Sequence, residues 1–184
     1  MKKIILNLAI TLDGFIEGPN GEIDWCIMDD DMDFGGFISS IDTIFYGRVS
    51  YDAWGNFQPD VTASPAEKEM WQGIHSKNKF VFSSQDRQDD NAIFISSDIA
   101  NKVAEIKQQG GKDIWLYGGA SLIKTFIHSG LIDIYKISVH PTVLGSGKPL
   151  FEDLQERIGL RLIETNVFKS GVVQLTYVSA TFLS

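Results

Sequence analysis

Ile114-Trp-Leu-Tyr-Gly-Gly-Ala-Ser-Leu-Ile123 is an apolar run that breaks at a glycine pair and resumes as a helical stripe through Leu122, Ile123, Phe126 and Ile127. A strand that feeds a helix through Gly118-Gly119 presents bare backbone N–H groups at the helix N-terminus, where the partial positive charge favours an anion such as phosphate. Without Cβ atoms, the glycines let a pyrophosphate approach the main chain closely. The same stretch decides the fold class, because a strand followed directly by a helix is half of a βαβ unit.

Outward from this point the pattern repeats. Apolar runs with strand character occur at Ile4–Ile10, Thr43–Tyr46, Lys79–Phe82, Ala92–Ile95, Asp113–Tyr117, Ile134–Val139, Leu160–Phe168 and Val172–Val178. Helical signals fall between most of the first six. Ser64-Pro65-Ala66-Glu67 reads as a capping box with proline at the first helical position, ahead of Met70, Trp71 and Ile74. Asp98 is placed to cap a helix carrying Ile99, Val103 and Ile106, which Gly110-Gly111 would end. A shorter helix is expected over Phe37, Ile38 and Ile41. Alternating strands and helices imply a mainly parallel sheet, and Lys169-Ser170-Gly171 between the last two strands implies an antiparallel hairpin at its edge.

The chain has 184 residues, enough for one domain with a sizeable core, expected over 1–184. Its net charge of −8 lacks the basic footprint that nucleic-acid binding needs. No window approaches the ~18 uninterrupted apolar residues of a membrane span. Lys2-Lys3 ahead of Ile4-Ile5-Leu6 imitates a signal peptide, but Asn7, Thr11 and Asp13 interrupt the run, so a buried first strand is expected. A single cysteine, Cys26, excludes an internal disulfide framework and makes the cytoplasm the expected compartment.

Three more segments carry candidate chemistry. Asp42-Thr-Ile-Phe-Tyr-Gly-Arg-Val-Ser50 ends a strand at Gly47 and opens a helix with Arg48, a fork of donors suited to phosphate, and Ser50, a hydroxyl. Lys79-Phe-Val-Phe-Ser-Ser-Gln85 ends a strand in the hydroxyls of Ser83 and Ser84. Strand C-termini of an α/β sheet line the crevice where ligands bind, so these ends are expected to converge with Gly118-Gly119. The segment from Ile10 to Trp25 holds Gly14, Gly18, Pro19 and Gly21 and reads as a mobile loop over a site.

Thr11-Leu-Asp-Gly14, Gly47-Arg-Val-Ser50, Phe82-Ser-Ser-Gln85, Tyr117-Gly-Gly-Ala120 and Pro141-Thr-Val-Leu-Gly-Ser-Gly-Lys-Pro-Leu-Phe151, in this order, resemble the dihydrofolate reductase-like fold. The likeness extends to the reductase domain of the bifunctional riboflavin-biosynthesis deaminase/reductase and spans nearly the whole chain. It implies a three-layer α/β sandwich: a mixed, mainly parallel eight-stranded sheet with an antiparallel C-terminal hairpin and about four flanking helices. It implies NADPH bound across the sheet, its pyrophosphate between the helices after Gly47 and after Gly118-Gly119, beside Ser50, Tyr117, Ala120 and Ser121. Arg48, Ser83 and Ser84 would lie near the adenosine ribose and its 2′-phosphate. Ala9 and Ile10 would contact the nicotinamide, and the Asp13–Asp24 loop, Gly18 within it, would close over it. Several relatives have a cis Gly–Gly peptide, and relatives usually pair as homodimers.

The chain also departs from those relatives. Reductases of the riboflavin intermediate carry a lysine in the first strand, where Asn7 stands here, and a phosphosugar-reading motif that Val49-Ser-Tyr-Asp-Ala-Trp54 does not match. The zinc deaminase signature is absent. Dihydrofolate reductases use one acidic side chain after the mobile loop to bind the pterin and assist protonation. Counting back from Gly47 favours Asp31 in that role, with Asp29 and Asp33 open, and a buried carboxylate there would have a raised pKa.

Other motifs fail. Asp29, Asp31 and Asp33 start like a calcium loop, but Phe34 replaces the turn glycine and Ser40 the bidentate glutamate. Gly145-Ser-Gly-Lys148 lacks the first glycine and the closing hydroxyl of a P-loop. The sequence therefore points to an NADPH-dependent reductase of a small heterocyclic or sugar-like molecule, with a non-catalytic nucleotide-binding module as the alternative.

Overall fold

A computed structural model describes residues 1–28 and 30–179, Asp30 by its backbone alone. The chain divides into two compact units, each discontinuous in sequence: 1–3 with 33–122, and 4–32 with the part from Ile123 onward. The fold class is the α/β one expected, with eight main strands, four in each unit, and five α-helices among the described residues.

The first unit holds four parallel strands in the order β5 (Ile93–Ile95), β4 (Asn78–Phe82), β3 (Ile41–Gly47) and β6 (Asp113–Gly118). Parallel strands covered on both faces read as continuous apolar runs, and Ile44, Phe45, Tyr46, Val81, Ile114 and Leu116 are all completely buried. On one face Trp115 meets Phe34 and Phe37 of α1 (Phe34–Ser40) edge to face. α3 (Pro65–His75) lies so close to α1 that a Cβ on Gly73 would stand 3.0 Å from Ile38 Cγ2. On the other face Phe45 packs on Phe80 and Phe82. Phe80, Ile95 and Ile106 of α4 (Ile99–Gln108) line a shared groove.

Local chemistry sets the boundaries. Ser64 Oγ accepts the Glu67 N–H at 3.1 Å with Pro65 at the first helical position, as the capping box requires. α1 is capped by Asp33, whose carboxylate accepts the Gly36 N–H at 3.0 Å, and it stops at Ser40. Ile41, expected in that helix, instead begins β3, because its side chain is wanted in the buried run. Asp98 precedes α4 but makes no side-chain cap: it sits at φ 52° and turns its carboxylate to Asn101 Nδ2 at 2.8 Å. Lys2, nearly buried, donates to Asp42 Oδ1 and Thr43 Oγ1 and pins the N-terminal residues beside β3.

The second unit holds β1 (Ile4–Thr11) parallel to β7 (Ile134–His140), which pairs antiparallel with β10 (Val173–Ser179) and so to β9 (Leu160–Val167). The expected hairpin is present, with Gly171 at φ 89° in its turn. Two short strands were not expected from sequence: β2 (Phe15–Glu17) pairs with β8 (Lys148–Pro149). They order part of the loop read as mobile, and the Gly18 N–H closes on the Glu22 carbonyl at 2.9 Å. α5 (Ala120–His128) ends in a Schellman arrangement, with Gly130 N–H on Ile127 O and Leu131 N–H on Phe126 O.

Candidate functional site

In the first unit the strand register gathers the sequence candidates at one end of the parallel strands. Gly47 closes β3 opposite Phe82 of β4, and Gly118 of β6 stands opposite Tyr46. The residues that follow (Arg48, Ser83 and Gly119) therefore leave the strands at the same C-terminal edge. Gly47 packs directly against the glycine turn: a Cβ on it would be in van der Waals contact with Gly119 N at 3.4 Å and Gly118 O at 3.5 Å. A Cβ on Gly119 would stand 2.9 Å from Ser50 Oγ, so that hydroxyl rests against the glycine turn. The Gly118–Gly119 peptide is cis, and α5 starts at Ala120, with Ser121 in its first turn. Gln85 N–H donates to Ser83 Oγ at 3.0 Å, while Ser84 is exposed.

Glycine backbone, hydroxyls at residues 50, 83 and 121, and the Arg48 guanidinium form a donor-rich set of the kind that holds a dinucleotide phosphate. The donor set and the bare glycine turn fit such a group.

Arg48 is not isolated. It opens α2 (Arg48–Ser50), which runs into a π-helical turn over Tyr51–Gly55 where a Cβ on Gly55 would strike the Tyr51 ring. Arg48 Nη1 lies 3.0 Å from Asp52 Oδ2, and the second oxygen of Asp52 accepts Arg87 Nη1 at 2.6 Å. Arg87 also donates to Asp89 at 2.8 Å and covers the rings of Phe94 and Tyr51, with Cζ 5.1 and 5.8 Å from their centroids. The hydrogen bond that Arg87 donates to Asp52 holds its guanidinium above its usual range. Burial pushes the Asp89 carboxyl up, but bonds from Asn91 N–H and the Tyr51 hydroxyl and the Arg87 charge outweigh it, so its pKa is lowered. Neither Asp52 nor Arg87 was singled out in the sequence. Arg48 and Asp52 have the i,i+4 spacing that signals their pair, whereas Arg87 follows Ser84 with nothing local to mark it.

Beside this edge, the Tyr46 and Tyr117 rings pack at a tilt of 39° with centroids 4.8 Å apart. Burial pushes the Tyr117 phenol up to about 12 and the Tyr46 phenol higher still. The Tyr46 hydroxyl is buried with no hydrogen-bond partner among the described residues.

In the second unit, Ala9 and Ile10 are half-buried near the C-terminal end of β1, opposite Ser138 and Val139 of β7. Asn7 stands opposite Lys136, so a lysine of β7 shares the sheet face of Asn7 in the neighbouring strand. Thr11-Leu-Asp-Gly14 and the 141–147 loop are one knot. Asp13 accepts Thr11 Oγ1 at 2.6 Å, Gly145 N–H at 2.8 Å and Leu144 N–H at 3.2 Å, while Leu12 N–H reaches Thr142 O at 2.8 Å. His140, almost fully buried, accepts the Ile27 N–H at Nδ1 and meets the Trp25 ring edge-on, which fixes the segment after the loop.

The acidic candidates divide. Asp31 lies on a single 3-10 turn (Asp30–Met32) and is exposed, where a buried carboxylate was expected. Asp33 is the cap of α1, and Asp29 lies outside the described residues. The described residues contain no cluster of metal-binding side chains and no helix long and apolar enough to cross a membrane.

Strand order and the glycine turn are those of an α/β protein with the dihydrofolate reductase-like fold. A family model for the RibD C-terminal domain matches residues 2–174, and the chain belongs to that family. It is 56% identical over 177 residues to the uncharacterized protein YyaP of Bacillus subtilis (strain 168), covering 96% of this chain and 94% of that one. Among solved structures it resembles a putative riboflavin biosynthesis protein from Shewanella sp. PV-4, with TM-score 0.77, 24% identity and coverage of 97% and 99%. It also resembles a dihydrofolate reductase from Enterococcus faecalis complexed with NADP(H), with TM-score 0.63, 16% identity and coverage of 97% and 96%. At these identities the structural likenesses establish the fold.

Proposed function

We infer that this chain is an NADPH-dependent reductase acting on a small heterocyclic or sugar-like molecule, in the manner of dihydrofolate or riboflavin-pyrimidine reductases. The observation that carries the reading is the convergence of Arg48, Ser50, Ser83 and the Gly118-Gly119 turn at the C-terminal edge of parallel strands. A dihydrofolate reductase of the same fold is described as complexed with NADP(H). The bound cofactor would supply a hydride to a C=N or C=O carbon. Gly119, Ala120 and Ser121 at the start of α5, with Ser50, would hold the pyrophosphate. Arg48, Ser83 and Ser84 would read the adenosine end, and Ala9 and Ile10 would border the nicotinamide. Gly18 belongs to the loop that would exclude water. The proton would come from Asp31 or Asp29, or from water. The same reading takes the protein to be a cytoplasmic homodimer of one domain over 1–184; the exposed Leu162, Ile163 and Val167 of edge strand β9 suit a subunit contact.

Titration with NADPH and NADH, followed by calorimetry or tryptophan emission, tests this. Binding that depends on the 2′-phosphate is expected, and Arg48→Ala is expected to weaken NADPH far more than NADH. Equal losses would remove Arg48 from the 2′-phosphate, and failure of both dinucleotides to bind would end the reductase reading. Exposure of Asp31 favours one second reading, a module that binds NADP(H) without turnover. NADPH oxidation with dihydrofolate or the riboflavin pyrimidine would overturn it.

A further inference from the structure

The ion pairs at Asp52 place two arginines on one carboxylate, one on each oxygen: Arg48 at 3.0 Å and Arg87 at 2.6 Å. Two guanidinium groups brought this close repel unless an anion sits between them. All three side chains are partly exposed, at 44%, 42% and 38% for Arg48, Arg87 and Asp52, so a ligand can reach the cluster. Arg87 is held from its other side by Asp89 and by the faces of Phe94 and Tyr51, and Asp89 is in turn tied to the Tyr51 hydroxyl at 2.8 Å. Its fork is thereby preorganised toward Asp52, which lowers the ordering cost of a new anion.

We propose that Asp52 is a built-in stand-in for the cofactor's 2′-phosphate: its carboxylate keeps Arg48 and Arg87 together, and the phosphate displaces it to bind both. This rests on the NADPH reading above and adds two residues to it, Arg87 as a second specificity-determining arginine and Asp52 as an internal competitor. A phosphate offers oxygens to two forks at once and carries more charge than a carboxylate, so the exchange favours the ligand. A nucleotide lacking the 2′-phosphate leaves Asp52 in its seat and gains nothing from Arg87. Asp52 thereby sets how strongly the protein prefers the phosphorylated nucleotide.

The test is calorimetric titration of the intact protein with 2′,5′-ADP and with ADP, alongside NADPH, for wild type, Arg87→Ala, Asp52→Asn and Asp86→Asn. Loss of a charge-assisted contact predicts roughly tenfold or greater weakening of 2′,5′-ADP by Arg87→Ala, with ADP nearly unchanged. Asp52→Asn should tighten 2′,5′-ADP severalfold and leave ADP alone. Asp86 neighbours Arg87 in sequence but stands outside the network, so Asp86→Asn measures the effect of removing one negative charge. Equal weakening of both nucleotides by Arg87→Ala would make the network a loop anchor and overturn the proposal. So would an Asp52→Asn variant that binds 2′,5′-ADP no better than Asp86→Asn does. Wild type that binds NADPH but prefers 2′,5′-ADP no more than ADP refutes this inference alone. Wild type that binds neither NADPH nor NADH takes the reductase reading down with it.

Discussion

Replacing Tyr46 with phenylalanine should stabilise the protein. The side chain is completely buried, its ring packs against Tyr117 and Tyr51, and its hydroxyl has no partner among the described residues. A hydroxyl buried without a hydrogen bond costs roughly 1–3 kcal/mol by the measure of protein mutations. Phenylalanine keeps the ring and its edge contacts and gives up only the dispersion contacts of one oxygen atom. The balance is a gain of about 1 kcal/mol, or roughly 2–4 °C in Tm for a chain of this length. Equilibrium unfolding in urea at 25 °C, followed by tryptophan emission, reads this as a higher midpoint at unchanged slope. A loss of about 1 kcal/mol or more would refute the reasoning, because it would mean that the hydroxyl is hydrogen-bonded in solution.

Two further outcomes follow from the charged contacts. Burial raises the Asp42 carboxyl, but the bonds from Lys2, Thr43 and the Lys112 N–H and the Lys2 charge outweigh it, so its folded pKa lies below the usual 3.8. A lowered pKa gives stability that is full above the unfolded value and disappears as pH falls through the folded one. Lys2→Met should therefore cost about 1–3 kcal/mol at pH 7, discounted for the partial exposure of Asp42, and flatten the acid-side loss measured by urea unfolding below about pH 4; an unchanged acid limb would dissociate the pair from it. Asp13→Ala should speed hydrogen exchange at the Leu144 and Gly145 amides while β7 and β10 keep their protection; unchanged protection would leave the loop held by the Leu12–Thr142 bond alone.

What could be read from residues in order was local. The glycine pair at 118–119, the box at Ser64–Glu67 and the turn before Gly171 announce themselves because backbone freedom and capping chemistry act within a few positions. Apolar runs named the eight main strands to within a residue or two at most ends. The runs are continuous in β3 and β6, which are buried on both faces and so have to be apolar throughout. Ile41 is the instructive miss. Helical spacing favoured α1, but the demand for a buried side chain at the start of β3 prevailed.

The sequence alone determined the fold class, the family likeness and which strand ends would carry donors, because those depend on pattern and spacing. Tertiary structure decided what those donors face. Only the register Gly47–Phe82 and Tyr46–Gly118 brings residues from three distant segments to one edge. Only packing seats Arg87 on Phe94 and Tyr51 and turns it to a carboxylate that lies 35 positions earlier. Exposure likewise belongs to the fold: spacing put forward Asp31 as a buried acid, and the turn that carries it leaves it in water. Side-chain surroundings arise from contacts between segments far apart in the chain, so no reading along the chain could supply them.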